Sequence, residues 1–228
     1  EKFNRFWAEI LCRPIKGVSV GDLETIIRRC LIKKDGVAYQ QPTLTSFPEI
    51  NSFYKWVRES GAIPMAAWRD GTSLGEANPA TWLDKLETCG MKAVNIVPEL
   101  STDPSNLHHL MEEIIQRQFP VNIGTEMNAI GLPNWDDLTN PVLAPFREVF
   151  VNGAEIMVGH TTLSRYANFS YCSTAATEEF PKRDKRNSFF SAVGRLPPLN
   201  PDQAQRFLDM GKNRALDKCR DAVHKEMW

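Results

Sequence analysis

The chain has 228 residues, 42% of them apolar, and a formal net charge of -1 from 27 basic and 28 acidic side chains. That length and apolar content suit a single domain with a sizeable core. The balanced charge gives no electrostatic basis for binding nucleic acid or an anionic membrane surface. No apolar run approaches the roughly 18 residues that span a bilayer. Five cysteines, Cys12, Cys30, Cys89, Cys172 and Cys219, are odd in number and follow no zinc-binding spacing. That usage points to reduced thiols in a cytoplasmic protein. The opening residues EKFNRFW carry no Met and no signal-peptide pattern, so a trimmed or partial chain is expected.

Residues 1–34 read as N-terminal helices. Phe3, Phe6, Trp7, Ile10 and Leu11 fall at helical spacing, and a second helix opens at Asp22 and runs through Leu31. Asp35-Gly36 marks a turn, and 37–41 is a doubtful strand that Pro42 would end. Asn51 to Ser60 reads as a helix. A strand–helix rhythm follows, with strands at 63–68, 93–97, 121–123 and 155–158. Helices are expected at 79–89, 104–118 and 141–150 between them, the first two entered through Pro79 and Asp103-Pro104. Such alternation implies βαβ units and a parallel sheet. No GxGxxG turn follows any strand, which disfavours a dinucleotide-binding doubly wound sheet. Polar groups lie at the ends of several strands, as in a TIM-like βα barrel, here incomplete at its N-terminus. The barrel-like core is expected over 37–175, with a helical extension over 176–228. Within that extension, Lys182–Arg186 reads as a solvated helix face rather than a phosphate patch, because Asp184 interrupts it. Asp202 to Glu226 reads as one amphipathic helix.

Four strand ends deliver the polar groups that this fold would gather on one rim: Asp70, Asn95 with Glu99, Glu126 with Asn128, and His160. Glu126 follows the apolar run of the third strand, where a carboxylate can ligate a metal or act as a general base, or simply cap a turn. Thr125 and Asn128 beside it can orient it or bind substrate. His160, in MVGHTT, suits a metal or proton transfer if it emerges from a strand, and otherwise is a core histidine satisfied by a backbone carbonyl. Asp70 is a ligand, a base, or an Asp-Gly turn residue. Asn95 can orient a substrate hydroxyl, whereas Glu99 reads as a loop carboxylate. Asp136-Asp137 is a second acidic group or a helix cap. His108 and His109, adjacent on a helix, point about 100° apart and cannot readily share an ion. His224 reads as solvent-facing. Phe146 and Phe150 read as core, and Ser164 and Cys172 lack the context of an activated nucleophile.

In the segments GAIPMAAWRDGTSLGE, VNIGTEMNAIG and VGHTTL the chain resembles a poorly characterised group of βα-barrel proteins related to PHP and amidohydrolase-type metal-dependent hydrolases. The resemblance covers Gly61 to about Gly194, and its most specific part is GTEMN followed by GHT. It implies a barrel rim that binds a divalent metal (zinc, manganese or iron) and hydrolyses a phosphoester or related bond in a small-molecule substrate. Glu126 and His160 match the ligand positions, and Asp70 would act as ligand or base. The His-x-His pair usual at the first strand of that family has no counterpart in this chain. The alternative expectation is a metal-free barrel, an isomerase or lyase or a binding protein for a sugar-like ligand.

Overall fold

In the computed structural model the described residues are 2–97, 103–124 and 137–228. They form two compact units, one before Glu49 and one from Glu49 onward. In the first, α1 (Lys2–Ile10) is followed by α2 (Val20–Ile27), which widens into one π-helical turn at Arg28–Ile32. Ser19 caps α2 by accepting from the Asp22 N–H at 3.1 Å. Leu11, Ile15 and Leu23 form a small buried cluster. Residues 37–41 are not a strand. Val37 is 90% exposed and Leu44 wholly so, and the chain there folds back through turns that bond to Leu31 and Gly36. With no buried face to serve, the β-branched residue has nothing to pack against.

The second unit begins with α3 (Ile50–Glu59) and holds three parallel strands, β1 (Met65–Trp68), β2 (Ala93–Ile96) and β3 (Val121–Ile123), in the order β1-β2-β3. The crossovers are α4 (Pro79–Thr88) and α5 (Pro104–Arg117). Asn78 accepts from Thr81 N–H at 2.9 Å and Asp103 from Ser105 N–H at 2.8 Å, so each proline-started helix has its side-chain cap. Gly90 leaves α4 with a positive φ of 85°. One face of the sheet presents Trp68, Val94, Ile96 and Val121 to Leu83, Leu107, Leu110, Met111 and Ile114 of the two helices. Burying each such side chain contributes about 1.5–3 kcal/mol.

The barrel expectation fails here. A TIM barrel closes eight strands, and the described residues form one open sheet of three. The fourth expected strand, 155–158, is the middle of α6 (Arg147–Ala167). Phe150, Gly153, Ile156, Gly159, Leu163, Tyr166 and Ala167 are its buried positions, a helical stripe in which two members are glycines. The short run Ile156-Met157-Val158 satisfies a strand pattern only when those glycines are ignored. The helix expected at 141–150 also begins later, because Asn140 accepts from Val142 N–H in a turn and a 3-10 turn at Ala144–Phe146 precedes α6.

Residues 176–228 are helical and pack against α6. After α7 (Thr174–Glu179) comes α8 (Arg183–Arg195), which packs along α6 and buries Arg186, Asn187, Phe190, Ser191 and Val193. Lys182–Arg186 is therefore not wholly a solvated face: Arg186 is only 8% exposed. The terminal helix is two helices, α9 (Pro201–Met210) and α10 (Lys212–Lys225), parted at Gly211 with φ 83°.

The α6–α8 pair approaches backbone to backbone. A Cβ on Gly159 would overlap the Phe190 carbonyl oxygen and lie 2.8 Å from its carbon. One on Gly194 would overlap the Glu155 carbonyl and lie 2.6 Å from its carbon. Gly153 meets Val121 of β3 in the same way. Ser191 Oγ donates to Glu155 Oε2 at 2.6 Å and accepts from Asn152 Nδ2 at 2.9 Å, a polar tie between the same helices. Gly159→Ala and Gly194→Ala should each destabilise the protein by about 3 kcal/mol or slightly less, the upper part of the overpacking range. Gly75→Ala, on an exposed loop whose nearest atom to an added Cβ is a flexible serine hydroxyl at 3.9 Å, should change stability little. Urea denaturation of the three variants checks this; equal stabilities would refute the close approach.

Candidate functional site

The carboxyl ends of β1 and β3 lead to Asp70 and Gly124, and β2 carries Asn95 one residue before its end. Ligands of open parallel α/β sheets bind at this edge. Asp70 Oδ1 accepts from the Thr72 N–H at 2.9 Å and from its hydroxyl at 2.7 Å. Those two bonds, the backbone one foremost, hold its carboxyl below the ordinary carboxylate value, with a smaller contribution from the Arg69 charge. The Asp70 carbonyl accepts from Asn106 Nδ2 at 3.1 Å. Asp70 is thus the residue of a closed Asp-Gly turn, with one carboxylate oxygen already engaged.

Asn95 has a neighbour that the sequence reading missed. The tripeptide Val-Asn-Ile occurs at 94–96 in β2 and again at 121–123 in β3, and the register pairs Val94 with Val121, Asn95 with Asn122 and Ile96 with Ile123. Alternation along a strand puts each valine and isoleucine on the helix-covered face and both asparagines on the other. Ala67 of β1 pairs with Asn95, so the row across the sheet is Ala67, Asn95, Asn122. Ala67 is exposed and the two asparagines are half-buried. Asn122 Oδ1 is fully buried without a hydrogen-bond partner among the described residues. The Asn95 side chain makes no hydrogen bond to a described residue either. Gly124 lies beside it, where an added Cβ would be 3.4 Å from Asn95 Oδ1. The repeated tripeptide was the available signal; only the register shows that the two amides are neighbours.

Thr125, Glu126, Asn128, Glu99 and Asp136 lie outside the described residues. Asp137 is a turn residue, its Oδ1 accepting from Thr139 N–H and hydroxyl at 2.9 and 2.7 Å, and those bonds lower its pKa. His108 is exposed and meets Phe146 edge-on at 5.1 Å, and His224 is exposed.

His160 does not emerge from a strand. It sits in α6, seven residues and about 10 Å along the helix from Gly153, the glycine that touches Val121 at the start of β3. Its Nδ1 accepts from the Tyr171 N–H at 3.1 Å, which fixes the Nε2–H tautomer of a neutral ring. Neighbouring groups belong to the amino edge of the sheet. Ser164 approaches Gly61, and Asn187, bonded to the Tyr171 hydroxyl at 2.5 Å, donates to the Gln118 carbonyl at 2.9 Å. His160 and the Asp70–Asn95 edge are therefore at opposite ends of the strands.

Among the described residues no three His, Cys, Asp or Glu side chains converge to hold a metal ion. Asp70 has one oxygen committed to its turn, and His160 has its Nδ1 occupied at the other end of the sheet. Asp70 and His160 therefore do not share an ion. Comparison with protein-family models, curated proteins and solved structures finds no match. No helix among the described residues is long and apolar enough to cross a membrane.

Burial lowers the His160 pKa from the ordinary 6.5. A ring whose folded pKa lies below its unfolded one leaves stability intact above 6.5. As pH falls further the unfolded chain takes up the proton first, and stability is lost. Denaturation midpoints should therefore fall more steeply below pH 6.5 in the wild type than in His160→Asn, whose amide oxygen can still accept from Tyr171. Parallel pH profiles would contradict a buried neutral ring.

Proposed function

We propose that the chain binds a small, neutral, hydroxylated molecule of sugar-like chemistry on the polar face and carboxyl edge of its parallel sheet. The observation that carries this reading is the in-register pair Asn95 and Asn122, two amides without partners among the described residues, flanked by the small residues Ala67 and Gly124. An amide offers both a donor and an acceptor, the complement of a hydroxyl group. A buried acceptor left unpaired costs about 1–3 kcal/mol, a cost that a ligand hydroxyl removes. The residues after Gly124 add Thr125, Glu126 and Asn128 to this reading, with Glu126 as the group able to move a proton. The five free thiols support a cytoplasmic setting for such a domain.

The test is a titration with monosaccharides and their reduced or oxidised forms, followed by the side-chain amide NMR signals of Asn95 and Asn122. At least one should move both pairs saturably. Asn95→Leu and Asn122→Leu should each weaken that binding about tenfold, the size of one lost hydrogen bond of about 1.4 kcal/mol. Asn122→Leu should at the same time leave the thermal midpoint unchanged or higher, because it removes an unpaired buried acceptor. Binding unaffected by either substitution would place the ligand elsewhere.

A further inference from the structure

Val158, Thr161, Thr162, Arg165 and Tyr166 follow one another at helical spacing and share one face of α6. That face, the apolar segment 196–199 that follows α8, and Trp228 wall a cleft of about 480 Å³, within the size range of small-molecule sites. Trp228 is fixed in place there. Its indole N–H donates to the Pro197 carbonyl, and its ring meets Phe207 edge-on at 5.2 Å. At the rim Val158 is left 53% exposed.

The polar groups that line this apolar cleft are few, and most are uncommitted. The Thr161 hydroxyl donates to the Met157 carbonyl at 2.9 Å. The hydroxyls of Thr162 and Tyr166 make no hydrogen bond to a described residue. Tyr166 is only 9% exposed, yet its hydroxyl is not sealed in the core, so the opening it meets is the cleft that the residue lines. Arg165 lies with its guanidinium carbon 5.4 Å over the Tyr166 ring and forms no ion pair among the described residues. By contrast Arg117, Arg183 and Arg220 pair with Asp84, Glu87 and Glu179. Among the described residues no Asp or Glu lines the cleft, so nothing there answers the Arg165 charge.

We propose that the cleft binds a small aromatic carboxylate, its charged end on Arg165 with the Thr162 and Tyr166 hydroxyls as further donors. A guanidinium holds a carboxylate through two parallel hydrogen bonds, and one already stacked on an aromatic ring is poorly hydrated and gives up little water to do so. One cation and two hydroxyls match a single negative charge. A phosphate dianion would bring a second charge against apolar walls with no cation to meet it, at a cost in desolvation. Two prolines and a fixed indole supply rigid surfaces, which take a planar ring with little loss of freedom on either side. The cleft shares no residue with the asparagine row of the sheet and does not depend on its role.

The experiment is titration of the whole chain with cinnamate, followed by calorimetry and by the NMR signal of the Trp228 indole N–H. Cinnamyl alcohol serves as the uncharged arm and acetate as the ringless one. Saturable cinnamate binding that moves the Trp228 signal is expected, at least tenfold tighter than either comparison. Arg165→Gln, at an exposed position that should fold normally, should weaken it at least tenfold. Tyr166→Phe, which keeps the ring and loses only the hydroxyl, should weaken it about threefold. Arg147→Gln, exposed at the other end of α6, should leave it unchanged. Absence of saturable binding, cinnamyl alcohol binding as tightly, or full affinity in Arg165→Gln would overturn the proposal.

Discussion

Two helix backbones meet where side chains have been left out, and most of the larger unit is arranged around that meeting. Gly159 of α6 faces the Phe190 carbonyl and Gly194 of α8 faces the Glu155 carbonyl, so each helix supplies the gap that the other fills. The approach lets Ile156, Leu163, Phe190 and Val193 pack into one buried cluster with Tyr171, Phe169 and Phe207. A third glycine, Gly153, seats α6 against β3. One helix thereby joins a small parallel sheet to a helical layer. Because interiors are packed as densely as organic crystals, a single added methyl at such a contact must displace backbone.

This bracing has consequences at both ends of the strands. A three-stranded sheet is short of strands for closure, and α6 covers the outer side of β3. One face of the sheet is then filled by α4 and α5, and the other is left with its asparagines half open. At the amino edge, α8 carries Arg186 and Asn187 inward, where Asn187 bonds both Tyr171 and the Gln118 carbonyl. The same packing that buries Phe190 therefore brings the Arg186 guanidinium over the Tyr171 ring. The row of asparagines and the Tyr171–Asn187–Gln118 contacts are products of one arrangement of helices, at opposite ends of the sheet.

The βαβ segment from Met65 to Ile123 was legible in the sequence because its boundaries carry local chemistry. Pro79 and Pro104 follow capping side chains, and Gly90 has the positive φ that a helix exit needs. The later half was not legible for a definite reason. Glycines at 153, 159 and 194 are core residues of α6 and α8, yet they contribute nothing to a hydrophobic pattern, so Ile156-Met157-Val158 passed for a strand. In α8 the buried face contains Arg186, Asn187 and Ser191, polar residues that interrupt an apolar periodicity, and Arg186 belonged to the run read as a solvated face. Of the site, Asn95 and the turn alternative for Asp70 were readable from type and position. Asn122 was not, since strand register is a tertiary property. His160 was misplaced along with the strand that was expected to carry it, and its backbone partner is the Tyr171 N–H rather than the carbonyl that a core histidine was expected to find.

The claim on which the rest depends is that α6, α8 and the sheet form one cooperative body held by backbone contact. Native-state hydrogen exchange, read residue by residue, tests it most directly. The account predicts that amides in the middle of α6 and α8 and those of β2 exchange only through the same global opening, with one free energy and one denaturant dependence. If α8 amides exchange through a separate, lower-energy opening while α6 stays protected, the helix pair is not the brace of this fold and the account is wrong.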